Sequence, residues 1–257
     1  MVVGRRESGW IGEDDAHVRR LRRVAVLVRT WNVFHGNAVP PERRAFLEEM
    51  VHLVTADRPG IVCLQEVPAW ALKRLAGWSG MTAIGALAAR PRLLSAELGR
   101  LVTELHHGLL RSAFTGQANA ILLAPDLRVL ARAEHRLDRP GEGERRVCEI
   151  VRVEGLGRVA NFHATGEHAD EQFLRAVELA DTDAEPVILC GDANAVPGEG
   201  RTYDVLRERG YSDPAPGIDQ ILVRGLPASP PFVWPEERRR VGGRLLSDHA
   251  PVELRVG

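Results

Sequence analysis

Two short polar motifs carry residue types that can perform acid–base chemistry on a phosphate ester. Gly191-Asp192-Ala193-Asn194 follows an apolar run, and Leu246-Ser247-Asp248-His249 precedes another. If both apolar runs are strands, the strand ends supply two carboxylates, an amide and an imidazole. Such groups activate a water molecule and stabilise the charge that develops on phosphate oxygens. The two motifs therefore predict a metal-dependent phosphohydrolase.

Four further motifs end predicted strands with a polar residue. They are Trp31-Asn32, Gln65-Glu66, Asn161-Phe162-His163 and Ile218-Asp219-Gln220-Ile221-Leu222. Each has a structural alternative when taken alone. Asn32 fits a strand-end cap, Glu66 a solvated carboxylate, and His163 a buried imidazole bonded to a backbone carbonyl. The occurrence of all the motifs in one chain favours a shared site.

The elements that must position these motifs are indicated by apolar runs and helical periodicity. Strands are predicted at 24–31, 61–65, 120–124, 127–133, 146–153, 158–163, 187–190, 220–223 and 252–256. Helices are predicted at 40–57, from 68 onward, and at 93–110, 169–180 and 202–209. Because few helices separate the middle strands, the order favours an α/β fold with two packed mixed β-sheets flanked by helices over a doubly wound parallel sheet.

The charges of the chain are nearly balanced, with 34 Lys and Arg against 35 Asp and Glu and a formal net charge of −1. This balance excludes a global basic field that would attract nucleic acid, and it leaves only a local patch for that role. The 257 residues suit one large α/β unit. We expect a charged N-terminal extension over 1–23 and a single domain over 24–257.

The cysteines and the first apolar run indicate the cellular compartment of the protein. Cys63, Cys148 and Cys190 lie far apart among apolar residues, which predicts reduced core thiols. The apolar run over 24–28 is too short to span a membrane. We therefore expect a cytoplasmic protein without membrane insertion, and the sequence leaves its oligomeric state open.

Together, in this order and at these intervals, the six motifs closely resemble those of the endonuclease/exonuclease/phosphatase superfamily, the deoxyribonuclease-like metal-dependent phosphohydrolases. The resemblance covers about 24–256, nearly the whole chain, and extends less specifically to an actinobacterial branch. It implies a four-layered α/β sandwich with the site at one edge of two sheets.

The ligand preference of a hard cation indicates which of these residues would bind the metal. Mg²⁺ is typically held by one or two carboxylates, with water and phosphate oxygens in the remaining positions, which points to Glu66. The resemblance agrees and adds Asn32 and Asp248 as near or direct contributors. We therefore expect Mg²⁺ as the cofactor, with Mn²⁺ as a substitute.

The remaining strand-end residues are assigned catalytic roles. We expect Asp192 to accept a proton from the attacking water, and the amide of Asn194 to hold the phosphate or that water. His249, as an imidazolium, is expected to donate to a non-bridging oxygen or to assist the leaving group. The resemblance implies that Asp219 orients and charges His249, and we expect His163 to be a second phosphate donor.

Substrate contacts are predicted at four further residues. Asn119, in the segment 116–121, resembles the family's pre-strand Asn that faces the site. Arg240 and Arg244 belong to an arginine cluster just before Ser247, and Arg forks suit phosphate recognition. A solvated surface run explains that cluster equally well. Arg146, at a neighbouring strand start, is another candidate contact.

Two departures from the family pattern limit the subfamilies to which the chain can be assigned. Well-known nuclease members have an acidic residue two positions after the first Asn, where this chain has Phe34. Abasic-site enzymes have a Tyr upstream of the pre-strand Asn, and the stretch 112–115 contains none. These departures argue against the abasic-site subfamily and favour one active-site metal over two.

The sequence therefore predicts a phosphate-ester hydrolase, most specifically a phosphodiesterase or nuclease that acts by metal-assisted water attack, with nucleic acid as a plausible substrate. The first alternative is a phosphomonoesterase or small-molecule phosphodiesterase acting on a nucleotide, a sugar or a lipid headgroup. The second is a catalytically silent binding module of the same fold. Salt dependence separates the nuclease from the small-substrate enzyme, because counterion release makes polyanion binding steeply salt-dependent.

Overall fold

β-Strands organise the computed structural model, which describes residues 25–42, 44–90, 101, 115–139, 145–182 and 184–257. The strands are β1 Val26–Asn32, β2 Ala38–Val39, β3 Ile61–Pro68, β4 Thr82–Ala89, β5 Gln117–Leu123, β6 Val129–Arg136, β7 Val147–Val153, β8 Gly157–His163, β9 Val187–Asp192, β10 Asp219–Arg224, β11 Phe232–Val233, β12 Arg240–Val241, β13 Arg244–Leu246 and β14 Val252–Val256. The predicted extension over 1–23 and all but residue 101 of the predicted helix over 93–110 lie outside the described residues.

Four α-helices and four 3₁₀ helices lie within the described part of the chain. The α-helices are α1 Leu47–Thr55, α2 Leu75–Ser79, α3 Ala169–Ala180 and α4 Thr202–Glu208, and the 3₁₀ helices are Phe34–Gly36, Ala69–Ala71, Gly166–His168 and Glu236–Arg239. The bounds of α3 match the prediction. By contrast, α1 covers only the second half of the helix predicted over 40–57, since it begins at Leu47 and ends at Thr55.

The strands form two large mixed sheets and one small sheet. The first large sheet has the order β11-β14-β1-β3-β5-β4, and the second has the order β10-β9-β8-β7-β6. Each contains one parallel pair, β1 with β3 and β8 with β9, among antiparallel neighbours. The small antiparallel sheet, β12-β13-β2, was not predicted, because its strands are only two or three residues long.

Three apolar clusters show how the layers pack. One lies between the two large sheets and includes Ile61 of β3 and Ile188 of β9. A second joins the first sheet to α1 and α2 and includes Met50, while a third joins the second sheet to α3 and α4 and includes Phe173. The layer order is helix, sheet, sheet, helix, which is the predicted four-layered α/β sandwich.

The helices form where apolar residues recur at helical spacing. In α3 the buried residues are Ala169, Gln172, Phe173, Ala176, Val177 and Ala180. This stripe faces the second sheet, and the ring of Phe173 stacks on that of Phe162 of β8 with centroids 4.9 Å apart. The contact anchors β8 immediately before His163, a predicted site residue.

Two further expectations concern the core and the membrane. The three cysteines are free and buried, as predicted. Within the described residues, no helix has both the length and the apolar character needed to cross a bilayer.

Candidate active site

The register of the second sheet places three of the predicted site residues side by side. His163 ends β8 and pairs with Asp192, which ends β9, and Asp219 at the start of β10 pairs with Asp192 from the other side. Paired residues on neighbouring strands face the same side of a sheet, about 4.7–4.9 Å apart from strand to strand. Gly191 permits this approach, because a Cβ there would clash with the carbonyl oxygen of Phe162.

Glu66 reaches the site through a β-bulge. Leu64 pairs with Ala120 and Val67 with Ala118, so β3 has one more residue than β5 over this stretch. Glu66 lies in the bulge with a φ of 56°, a left-handed conformation that non-glycine residues rarely adopt. Bulges re-aim side chains beside active sites, and this one brings the Glu66 carboxylate to 4.0 Å from Nε2 of His163.

Buried amides tie the two large sheets together beneath the site. Asn161 Nδ2 donates to the carbonyl oxygens of Leu64 and Ala120, both at 3.0 Å. Gln65 Nε2 donates to Asn161 Oδ1 at 2.7 Å. Because Gln65 precedes Glu66 and Asn161 lies two residues before His163, these bonds fix the relative positions of the two strand ends that carry the site.

The carboxylate of Asp192 is the centre of the cluster. Its Oδ2 accepts a hydrogen bond from Asn32 Nδ2 at 2.9 Å and lies 3.4 Å from Nε2 of His163 and 3.8 Å from Nε2 of His249. Its Oδ1 accepts the backbone N–H of Asn194 at 3.1 Å. Burial, and after it the charge of the neighbouring Asp219, raises the pKa of Asp192 to about 6.

His249 is held and charged by Asp219. Nδ1 of His249 lies 2.9 Å from Oδ2 of Asp219. Burial by itself lowers the pKa of His249, but the hydrogen bond to Asp219, the charge of Asp219 and the charge of Asp192 together raise it to about 9. His249 is therefore an imidazolium at neutral pH, with Nε2 directed toward Asp192.

The tautomer of His163 is fixed from its Nδ1 side. Arg146 Nη1 lies 3.0 Å and Gln117 Nε2 3.4 Å from Nδ1 of His163. A guanidinium only donates, so Nδ1 accepts and the ring proton of the neutral imidazole lies on Nε2. Burial, together with the positive charge of Arg146, holds the pKa of His163 well below its usual value. His163 is thus a neutral donor that points its Nε2–H at Asp192 and Glu66.

His35 completes the surroundings of Glu66 and was not predicted. Its Nε2 lies 3.3 Å from Oε2 of Glu66, and its φ of 51° belongs to a tight left-handed turn that also includes Phe34 and Gly36. Burial raises the pKa of Glu66 to about 7, against the lowering effect of a hydrogen bond from Asn32 and of the charge on Arg146. The Glu66 carboxylate is therefore short of positive charge.

Residues with strained backbone conformations are concentrated around the candidate site. Six non-glycine residues of the described chain have positive φ, and only Arg58 lies apart from the site; the others are Phe34, His35, Glu66, Asn194 and Ser247. Such strain persists where the surrounding structure over-determines it, often at functional sites. Ser247 is held by its own hydroxyl, which donates to the Asn32 carbonyl at 2.7 Å and accepts the backbone N–H of His249 at 3.1 Å.

The donor set fits a divalent cation. Glu66 and Asp192 are buried carboxylates with raised pKa values, and the buried Oδ1 of Asp219 has no hydrogen-bond partner among the described residues. Hard oxygen donors of this kind suit Mg²⁺ or Mn²⁺. Ligand atoms of Asp192, Asp219 and His249 lie within 4.8 Å of one another, but the hydrogen bond between Asp219 and His249 already engages that pair. Glu66 is therefore the stronger ligand candidate.

The outer residues predicted for the site are placed less centrally. Asp248 lies at the rim, with its side chain 47% exposed and its Oδ1 4.0 Å from Nε2 of His249. Asn194 donates its amide to the carbonyl of Ala164 at 2.8 Å. Asn119 donates to the carbonyl of Val147 at 2.9 Å, so it anchors the start of β7 beside Arg146.

The loop arginines predicted as substrate contacts, Arg240 and Arg244, are engaged in ion pairs. Arg240 pairs with Glu236 at 3.0 Å, and Arg244 pairs with Glu42 at 2.6 Å. Within the described residues, the structure brings neither guanidinium into contact with the Asp192 cluster. Their role as phosphate contacts stays a prediction.

Two further residues support the site, and one of them, Thr165, was not singled out from the sequence. Gln117 contacts His163, and Thr165 Oγ1 accepts from Arg146 Nε at 2.9 Å. Thr165 follows the Asn161-Phe162-His163 motif by two residues, and Gln117 precedes Asn119 by two. For Gln117 the available signal was alternation along β5, which places residues two apart on one face. Thr165 lies beyond the end of β8 and had no such signal.

Most of the sequence matches a protein-family model. The model of the Endonuclease/Exonuclease/phosphatase family matches residues 30–249, a range that contains all the residues of the cluster described above. No curated protein matches the chain.

Solved structures with the same fold include proteins from bacteria and from humans. An endonuclease/exonuclease/phosphatase from Beutenbergia cavernae is 19% identical with a TM-score of 0.66, over 91% of this chain and 72% of its own. A mannosyl-6-phosphatase from Bacteroides thetaiotaomicron is 17% identical with a TM-score of 0.60, over 90% of this chain and 99% of its own. The human nocturnin catalytic domain, solved with a sulfate anion, is 17% identical with a TM-score of 0.63, over 92% of this chain and 94% of its own.

Proposed function

Because this chain belongs to the Endonuclease/Exonuclease/phosphatase family of phosphate-ester hydrolases, we propose that it is a metal-dependent phosphodiesterase, and specifically a nuclease. The observation that carries the proposal is that a deprotonated carboxylate, Asp192, lies beside a protonated imidazole, His249. A carboxylate with a pKa of about 6 lies 3.8 Å from an imidazolium with a pKa of about 9. At neutral pH the site therefore holds a base and an acid side by side.

Asp192 is the base. Its raised pKa makes it a better proton acceptor than an ordinary Asp, while at neutral pH it is still deprotonated. The backbone N–H of Asn194 and the amide of Asn32 fix both of its oxygens. A water molecule on this carboxylate loses its proton to Asp192 as its oxygen bonds to phosphorus, and the ester P–O bond opposite breaks.

His249 and His163 act on the phosphate oxygens. His249 carries a full positive charge that Asp219 maintains, so it stabilises the negative charge that grows on a non-bridging or leaving oxygen. His163 is neutral and offers a single N–H from Nε2. Two donors of different charge thus flank one carboxylate, and neither has to change its tautomer before reaction.

Glu66, with Asn32 and Asp248 as near or direct contributors, would hold Mg²⁺, or Mn²⁺ as a substitute. When bound there, the cation neutralises phosphate charge and that of the buried carboxylates. The raised pKa of Glu66 supports this assignment, because the carboxylate lacks a full compensating charge from the described residues.

A second candidate function is hydrolysis of a small phosphate ester, as by a phosphomonoesterase. The ion pairs of Arg240 and Arg244 favour it, because they neutralise the loop that was predicted to contact a nucleic-acid strand. A silent binding module is disfavoured, because the base, the charged imidazole and the neutral imidazole are all present with the contacts that catalysis needs.

The protein is proposed to work in the cytoplasm. Its three cysteines are buried and free, and reduced thiols of this kind are typical of proteins in reducing compartments.

Hydrolysis assays test the proposed function. The substrates are a chromogenic phosphodiester, a chromogenic phosphomonoester, and labelled single- and double-stranded DNA and RNA, each with Mg²⁺, with Mn²⁺ and with chelator. We expect cleavage of the diester and the nucleic acids with metal, and none with chelator or in Glu66→Ala. Turnover of the monoester alone would transfer the assignment to the second candidate. Metal-independent turnover would contradict both.

A further inference from the structure

A groove whose lining contains more basic than acidic residues adjoins the active site on the side of Arg146. The cavity has a volume of about 260 Å³ and lies where the end of β4, the end of β6 and the start of β7 meet. Its lining has four arginines, Arg90, Arg136, Arg145 and Arg146, against the two acids Glu134 and Asp138, and we call this feature the basic groove. Nothing in the mechanism above uses it.

The charges of the basic groove are unevenly compensated. Asp138 is already occupied, since it pairs with Arg136 and accepts the backbone N–H of Arg146 at 3.0 Å. Arg90 and Arg145 are exposed, and the described part of the chain gives neither of them an ion-pair partner. Two guanidinium groups of the groove therefore face solvent and carry positive charge.

Arg146 connects the groove to the reaction centre. Its guanidinium is buried, lines the groove, and lies 3.0 Å from Nδ1 of His163. Nε2 of the same imidazole lies 3.4 Å from Oδ2 of Asp192. One arginine and one imidazole thus connect the groove to the catalytic carboxylate.

The other arginine-rich surface near the site offers less free charge. Arg238, Arg240 and Arg244 each pair with a glutamate, and Arg239 is buried against backbone carbonyls. The basic groove is therefore the better placed surface for a second anion.

We propose that the basic groove is a second phosphate subsite, which binds a phosphate group of the substrate other than the one that is hydrolysed. This inference rests on the proposed phosphate-ester hydrolysis. Arginine forks match phosphate oxygens in pairs of hydrogen bonds, and Arg90 and Arg145 supply two such forks. The substrate class is then a molecule with at least two phosphates, either a nucleic-acid strand or a compact nucleoside polyphosphate.

The test compares three double variants with the wild-type protein. Arg90→Gln/Arg145→Gln removes the two unpaired charges of the groove. Arg240→Gln/Arg244→Gln removes two ion-paired arginines from the competing loop. The matched control, Arg128→Gln/Arg207→Gln, removes two strongly exposed arginines from elsewhere on the surface. All three double variants change the net charge equally, so any difference among them in binding or kinetics reflects where the charges were removed.

Two measurements are made on each protein. The first is kcat and KM with a labelled single-stranded oligonucleotide and with a chromogenic diester that has one phosphate. The second is anisotropy of the same oligonucleotide bound to each protein in an Asp192→Asn background, as a function of salt. The binding measurement does not require turnover, so the subsite is tested even if the proposed hydrolysis fails.

We expect the groove variant alone to raise KM and Kd for the oligonucleotide at least about tenfold, with kcat and the chromogenic reaction little changed. The slope of log Kd against log salt should fall by about 1.4, the value for two single-strand phosphate contacts. A nucleoside triphosphate is added as a competitor of the chromogenic reaction. If the groove variant weakens its inhibition too, the subsite takes compact polyphosphates; if only the oligonucleotide is affected, it takes a strand.

Two results would overturn the subsite. One is equal binding by the groove variant and the matched control. The other is a loss confined to the loop variant, which would place the second phosphate at the Arg240 and Arg244 surface. Failure of the wild-type protein to hydrolyse any substrate would overturn the proposed function, and is read from the kinetic assay alone.

Discussion

Oδ2 of Asp219 lies 2.9 Å from Nδ1 of His249, and Asp219 is also the strand partner of Asp192. One carboxylate therefore raises the pKa of both groups that handle protons in the site. It raises that of His249 by hydrogen bonding and charge, and that of Asp192 by charge after burial. The acid and the base are therefore coupled through Asp219 as well as through their own 3.8 Å contact.

The pH profile of kcat/KM should be bell-shaped. Asp192 must be deprotonated to act as a base, so activity rises as pH passes about 6, or lower if a bound cation depresses its pKa. His249 must be protonated, so activity falls as pH passes about 9. Hydrolysis of a chromogenic diester from pH 4 to 10.5 measures both limbs. A flat profile from pH 5 to 10 would contradict the assignment.

Replacement of Asp219 by Asn should move both limbs to lower pH. The negative charge of Asp219 raises the pKa of His249 and of Asp192 alike, and its removal lowers both. The loss of the oriented imidazolium should also reduce kcat by about 10²–10⁴-fold. The same pH series measures the shift, and movement of the alkaline limb alone would show that Asp219 does not act on Asp192.

Replacement of Arg146 by Met should disturb His163 without removing it. Nδ1 of His163 loses its closest donor, so the ring no longer has to carry its proton on Nε2. Loss of a comparable outer hydrogen bond costs about 10–100-fold in other sites, and we expect a drop in kcat within that range. ¹⁵N shifts of the His163 ring report its tautomer. An unchanged tautomer with reduced kcat would mean that Arg146 acts on the substrate instead.

His35→Asn should weaken the binding of a divalent cation. The imidazole lies 3.3 Å from Oε2 of Glu66, and Asn tolerates the left-handed backbone that position 35 requires. We expect Mn²⁺ to bind about 10–100-fold more weakly, as measured by calorimetry. The matched variant His52→Asn, on the exposed side of α1, should bind Mn²⁺ like the wild-type protein. Equal affinity in both variants would remove His35 from the site.

The stability of the first sheet should depend on Arg29, which is fully buried. Its Nε donates to Glu253 at 2.6 Å, its Nη2 to Asp57 at 2.6 Å, and its Nη1 to the Val54 carbonyl at 2.8 Å. Asp57→Ala/Glu253→Ala leaves that charge buried without a counter-ion, which should cost about 3–5 kcal/mol of the free energy of unfolding.

Arg29→Met is the informative companion to that double variant. It removes the buried charge itself, while Glu253 keeps its ion pair with Arg238 at 2.9 Å. Urea unfolding should therefore give a smaller loss than the double variant. A larger loss would mean that the guanidinium stabilises the sheet mainly through packing and its bond to Val54.

The sequence allowed the strand-end positions of much of the candidate site to be predicted. Asp192, His163 and Asp219 each end or begin a regular strand, so an apolar run followed by a polar residue was a sufficient signal. Their mutual contact then follows from the pairing of neighbouring strands, which places paired residues on one face. Helix α3 was equally accessible, because its buried stripe has a clear helical period.

The surroundings of Glu66 could not be predicted in the same way. The bulge in β3 exists only relative to β5, which is distant in sequence. The left-handed turn that brings His35 to Glu66 has no sequence signature beyond Gly36. Strand β4, with the sequence TAIGALAA, was missed because Ala and Gly are depleted in strands and give no clear alternation.

The ion-pair partners of Arg240 and Arg244 could not be predicted for a related reason. A run of arginines indicates positive charge, but it does not show which acids fold against it. The partners of Arg240 and Arg244 differ in kind, since Glu236 lies four residues away while Glu42 lies in a distant segment. Only the folded chain reveals that both charges are compensated and that those of Arg90 and Arg145 face solvent.

The role of Asp192 as the base is tested by the steady-state rate of chromogenic diester hydrolysis, measured with Mg²⁺ and with chelator for the wild-type protein and for Asp192→Asn. We expect Mg²⁺-dependent turnover in the wild-type protein, and a loss of about 10²–10⁴-fold or more in the variant, whose circular dichroism spectrum and melting temperature remain close to those of the wild type. Undiminished turnover in a folded Asp192→Asn protein would contradict this role, because no other described carboxylate combines this position with these contacts.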